Sequence, residues 1–157
     1  PYFGQKPPGL IPEMFAPGLV STKDLDIEAA ISPSMEEFYF VRQKKGEKPK
    51  SHLLQYKNGR CEESEVERRS GEVFISTDNK TMYLGNKYKD RTASGWTTEK
   101  SLRALFEKFP VMRLTASAAN TYVFEERKEF DVIRYAKLVV GKREEQKAFD
   151  KEINTGK

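Results

Sequence analysis

A chain with one histidine has few ways to build a catalytic centre. His52 is that residue, so a multi-histidine metal site lacks its ligands and a Ser-His-Asp triad is nearly excluded. Flanked by Leu53 and Leu54 in a β-type run, it reads as a structural side chain. The lone Cys61 excludes an intrachain disulfide, and beside Asn58-Gly59-Arg60 it reads as an inert thiol near a turn. The carboxylate pairs Glu36-Glu37, Glu62-Glu63 and Glu125-Glu126 are adjacent, which in a strand sends the partners to opposite faces. That is a poor arrangement for acid–base work. Asp78, after Ser76-Thr77, reads as a turn former, with a calcium ligand as the other reading. Lys87, Tyr88, Lys89 and Arg91 mix basic and aromatic character, and Trp96 follows Gly95. Trp96 could stack on a sugar ring or peptide or pack between sheets, and the basic-aromatic run is an anionic-ligand signal. No phosphate-cradling glycine loop, zinc spacing or nucleophile elbow is present. The residues therefore name no catalytic group, metal ligand or cofactor, and give Trp96, Lys87, Tyr88 and Arg91 as binding candidates.

The 157 residues fit one ordinary domain, with a wet composition of 37% hydrophobic and 33% charged residues. The net charge of +4 comes from interleaved signs, and the basic cluster Lys44, Lys45, Lys48 and Lys50 reads as a solvated loop. A nucleic-acid partner is not expected from such a pattern. No run of about 18 apolar residues is present, so no membrane-spanning helix is expected. Residues 1–24 are rich in proline and glycine and read as an extended arm, with Tyr2, Phe3, Leu10, Ile11, Met14 and Phe15 lying on the core. From residue 25 the chain reads as strands. Phe38-Tyr39-Phe40-Val41 is a buried-type strand, with a loop over residues 42–50 after it. Asn58-Gly59 is a strong hairpin turn between residues 51–56 and a charged edge strand over 60–66. Residues 85–93 read as a polar loop. A short helical or irregular piece follows over 99–106, then strands over 121–124, 130–135 and 137–142, a charged hairpin over 125–129 and a connector-like tail.

The turn-and-strand unit Ile31-Ser32-Pro33-Ser34-Met35-Glu36-Glu37-Phe38-Tyr39-Phe40 recurs. Its echoes are Ile75-Ser76-Thr77-Asp78-Asn79-Lys80-Thr81-Met82-Tyr83-Leu84 and a more eroded copy ending in Tyr122-Val123-Phe124. Phe40, Leu84 and Phe124 then stand in equivalent places, about 44 and about 40 residues apart, where a four-stranded propeller blade repeats every 40–45 or so. The expected fold is all-β: a partial β-propeller of about three blade-like antiparallel sheets, with units near 25–68, 69–108 and 109–157. A β-sandwich is the alternative, which accounts for the strand count but not the period.

On these motifs the chain resembles the TolB-type, WD40-like β-propeller repeats of exported bacterial proteins, over roughly residues 12–157. The family's turn is Ser-Pro-Asp-Gly-Lys before an aromatic strand; here Ser34-Met35 replaces Asp-Gly, and the second copy keeps Asp78 but has Thr77 for Pro. Gly95-Trp96, Phe130-Asp131-Val132-Ile133 and Ile153-Asn154-Thr155-Gly156 are similar to the family's linker and outer-strand phrases. The stretch between Leu84 and Gly95 is short for the usual third strand of a blade. The resemblance implies a non-enzymatic binding or scaffold module, periplasmic or extracellular, holding a protein or glycan at its loops. The alternative is the propeller part of a hydrolase or lyase whose catalytic residues lie elsewhere. Three units are too few to close a ring, so the expectation is a piece of a larger propeller, or a homodimer or second chain that completes one. A start at Pro1 suits a trimmed or mature form.

Overall fold

A computed structural model describes residues 2–66, 71–102, 106, 110–126, 132–139 and 142–154. The fold is almost wholly β, with 53% of the described residues in strands, arranged as three open antiparallel sheets of four or five strands. By its internal contacts the chain divides into two compact units, residues 1–69 and 70–157.

The first unit holds one sheet of β1 (Leu25–Ile31), β2 (Glu37–Gln43), β3 (Lys50–Lys57) and β4 (Arg60–Val66), paired in sequence order. Asn58 and Gly59 form the two-residue turn between β3 and β4 with φ of 50° and 82°, the left-handed geometry that matches strand twist. In an antiparallel ladder, directly opposed residues share a face. One face of this sheet thus carries Phe38, Phe40, Leu54 and Tyr56, and residues 2–20 lie across it. The Phe3 and Phe15 rings meet at 5.3 Å and Phe15 meets Phe38 at 5.1 Å, while Ala16 and Val20 complete the cluster. The arm therefore packs on the core at two points only. Residues 6–14 between them are exposed, and Leu10, Ile11 and Met14 face solvent rather than the sheet as the sequence suggests. Phe38 and Phe40 likewise pack under the arm.

The second unit holds two sheets. One comprises β5 (Val73–Ile75), β6 (Thr81–Leu84), β7 (Lys87–Thr92), β8 (Gly95–Trp96) and β9 (Lys100–Ser101); β7 pairs with both β8 and β9. The other comprises β10 (Val111–Ala116), β11 (Thr121–Glu126), β12 (Val132–Val139), β13 (Lys142–Arg143) and β14 (Lys147–Ala148). The polar loop expected at residues 85–93 is in fact strand β7, so the second sheet does have its third strand. The charged sequence of β7 obscured it. The tail is not a plain connector either, since β14 pairs with β12. Of the helical or irregular piece expected at 99–106, Lys100–Ser101 form strand β9 instead, and residues 103–105 lie outside the described residues, as do the tip of the hairpin at 125–129, Phe130-Asp131 and Thr155-Gly156. Phe74, Tyr83 and Tyr88 share one face of the β5–β9 sheet, and Leu114, Tyr122, Phe124 and Ala136 share one face of the β10–β14 sheet. These faces pack against each other with Leu102, Phe106 and Val111, and the Tyr83 and Tyr122 rings meet edge-on at 6.0 Å.

The three sheets open on the same turn. Ser32, Ser76 and Ser117 each donate a backbone N–H to the carbonyl of Glu37, Thr81 and Thr121, at 2.8, 2.8 and 2.9 Å. Each serine carbonyl accepts from the N–H three residues on, at Met35, Asn79 and Asn120, and those residues have φ of 55°, 60° and 58°. Each serine Oγ accepts from the N–H that starts the next strand: Glu37 at 3.0 Å, Thr81 at 2.8 Å and Thr121 at 3.1 Å. Counting from these anchors makes Phe38, Met82 and Tyr122 equivalent, then Tyr39, Tyr83 and Val123, then Phe40, Leu84 and Phe124. The last three are each 1% exposed. Ser32 itself is 1% exposed, so its hydroxyl satisfies a buried N–H whose desolvation alone would cost about 1–3 kcal/mol.

Candidate functional site

Strand β7 carries three of the four binding candidates and separates them by its alternation. Tyr88 shares the inward face with Tyr83 and packs on the core between the two sheets, and the Lys100 ammonium lies 5.8 Å from its ring centre. Lys87 and Arg91 point the other way, four residues or roughly 13 Å apart along the strand. Lys87 Nζ pairs with Glu99 at 2.6 Å. Arg91 and Trp96 are register partners across the β7–β8 hairpin, and the guanidinium carbon sits 3.8 Å from the indole ring centre. Asn79 fixes the guanidinium from the neighbouring turn, accepting through Oδ1 at 2.7 Å and through its backbone carbonyl at 3.3 Å. Thus the structure brings Arg91 and Trp96 together and places Tyr88 and Lys87 apart from them. The stacked pair is a half-buried, planar ledge held at the edge of a sheet, and a flat partner such as a sugar ring or peptide plane suits it.

Asp78 acts inside its own turn. Its Oδ1 accepts from Ser76 Oγ at 2.6 Å and from the Lys80 N–H at 3.0 Å, and the Ser76 bond, followed by that N–H, holds its carboxyl below the usual aspartate range. Among the described residues no group of three His, Cys, Asp or Glu side chains could hold a metal ion. The Cys61 thiol donates to the Phe3 carbonyl at 3.1 Å, and burial pushes its pKa up, away from the reactive thiolate. Burial, then the Tyr122 hydroxyl at 3.4 Å, likewise raises the Tyr83 phenol.

A second polar cluster escapes the sequence reading. Arg42 belongs to the end of β2 rather than to a loop, and its side chain is 7% exposed. Its Nε donates to Asp26 at 2.9 Å and its Nη1 to Glu63 at 3.3 Å, while its Nη2 donates to the Leu19 and Val20 carbonyls at 2.7 and 3.0 Å. The hydrogen bond to Asp26 keeps the guanidinium pKa above its ordinary value, against the opposing effect of burial. The guanidinium also lies 5.0 Å from the Phe40 ring centre, and His52 stacks on that ring at 5.3 Å with Nδ1 2.6 Å from Glu63 Oε1. Glu62, by contrast, points outward to Arg60, so the adjacent carboxylates do separate. No signal in the sequence marks Arg42, because Asp26 and Glu63 are 16 and 21 residues away. The cluster fastens the arm to the sheet; its geometry is structural.

No family model matches the chain, and no curated protein matches it.

Proposed function

We propose that the chain is a binding or scaffold module built from TolB-like repeats, a partial β-propeller that holds a protein or glycan at its hairpin surfaces. The reading of the three sheets as blades rests on the recurring serine turn. The binding reading rests on one observation: Arg91 is stacked on Trp96 at 3.8 Å and locked there by Asn79, which gives a preorganised ledge at the β7–β8 hairpin. Under this reading the protein works in the periplasm or outside the cell, as the repeat resemblance implies.

Trp96 is the chain's one tryptophan, so its emission reports on the ledge alone. Titration with oligosaccharide and peptide panels is expected to give a saturable change in that emission. Calorimetry with the responding ligand should show Arg91→Ala and Trp96→Ala weakening binding by about tenfold or more, the behaviour of an aromatic or arginine anchor. Panels that leave Trp96 emission unchanged throughout would remove the reading.

A further inference from the structure

The shared turn gives all three sheets a common frame, and in that frame their faces are not used alike. Face one carries Phe38 and Phe40 in the first sheet and Tyr122 and Phe124 in the third. Face two carries Tyr39, Tyr83 and Val123. In the second unit, face two of one sheet, through Tyr83, packs on face one of the next, through Tyr122 and Phe124. Face one of the first sheet is the same surface by position and composition, yet residues 2–20 lie on it. Phe3, Phe15, Ala16 and Val20 fill the place that Phe74 and Tyr83 fill against the third sheet.

We propose that residues 2–20 form a cap that takes the place of a neighbouring sheet, and that the cap blocks head-to-tail stacking onto a second copy of this chain. The occupant it excludes is face two of the last sheet, where Val123 is half-buried between its register partners Thr115 and Tyr135. Such a contact joins unlike surfaces, so it continues into rings or filaments unless something stops it. Repeat arrays need terminal segments with that purpose. The fastening suits a cap. The arm is held at its start by Phe3 and at its end by Phe15 and the Arg42 bonds to the Leu19 and Val20 carbonyls, with the exposed residues 6–14 between. None of the arm residues extends the sheet by strand pairing; only an isolated bridge, Pro17 to Ser21, occurs within the arm itself.

Sedimentation velocity over a concentration series tests the cap, and it does so without reference to the Arg91–Trp96 ledge. The full chain is expected to sediment as one species. The chain lacking residues 1–20 should associate with concentration, its dissociation constant lower than the full chain's by about tenfold or more. A synthetic peptide of residues 1–24 should return it to the smaller species. Val123→Lys in the shortened chain should abolish association as well, since it charges the complementary face. A shortened chain that stays folded by circular dichroism and monomeric overturns the proposal, and so does association that Val123→Lys leaves unchanged. If the shortened chain does not fold, the full-length Arg42→Ala variant decides. Association by that variant, reversed by Val123→Lys, supports the cap, and a folded monomer makes the arm ordinary core and overturns it.

Discussion

Met35 occupies the place that Asn79 and Asn120 hold in the other two turns, with φ of 55°. A left-handed conformation costs a non-glycine residue about 1–2 kcal/mol, and asparagine tolerates it better than methionine does. Met35→Asn is therefore expected to raise stability by about 1 kcal/mol, read as a higher urea midpoint with an unchanged slope. Asp78 gives a second test at the same scale. Its folded pKa lies below the ordinary aspartate value of about 3.9, so its contribution is fully present above that pH and fades as pH falls through the lowered folded value. Asp78→Asn keeps the acceptor oxygen and removes the charge. Thermal melts should show the variant below wild type at neutral pH, with the gap closing in acid; a gap constant with pH would contradict the assignment.

At the scale of elements, what the sequence displays depends on where an element's partners lie. The aromatic strand at residues 38–41 and the Asn58-Gly59 turn are legible because their causes are local: β-propensity in one case, positive φ in the other. Strand β7 is not, since Lys-Tyr-Lys-Asp-Arg-Thr has the composition of a loop. Two of its charges are satisfied by residues that come later, Glu99 for Lys87 and Lys100 for Asp90. Two-residue strands such as β8, β9, β13 and β14 leave no periodic signal at all. Of the binding candidates, Arg91 and Trp96 meet because a hairpin sets them opposite each other, a pairing that needs β7 to be recognised first. Arg42 shows the same limit for buried charge. It joins β1, β2, β4 and the arm through hydrogen bonds, and removing it leaves Asp26 and Glu63 without their cation in a largely dry site. Arg42→Ala is expected to cost about 3–5 kcal/mol, measured by chemical denaturation. Limited proteolysis should then cut the arm between residues 6 and 20 well before the sheets.

For the whole molecule, the two hydrophobic clusters matter more than the number of strands. One lies wholly in residues 1–69 and the other wholly in residues 70–157, so each unit has its own core. Either unit expressed alone is expected to unfold cooperatively in urea, with the first the weaker, because a domain of that size buries a smaller share of its surface. A broad, non-cooperative profile for both pieces would show that neither core suffices by itself.

The order of strands within each sheet also bears on how the chain is made. In the first sheet every strand pairs with its neighbour in sequence, so pairing can advance as residues emerge from the ribosome, without waiting for the C-terminal half. The arm is the exception to that vectorial order. It is synthesised first, but the groups that fasten it, Arg42 and Glu63, appear only with β2 and β4. During that interval the nascent chain carries the bare aromatic surface of Phe38 and Phe40, and closure of the arm is the last local step of this unit's birth.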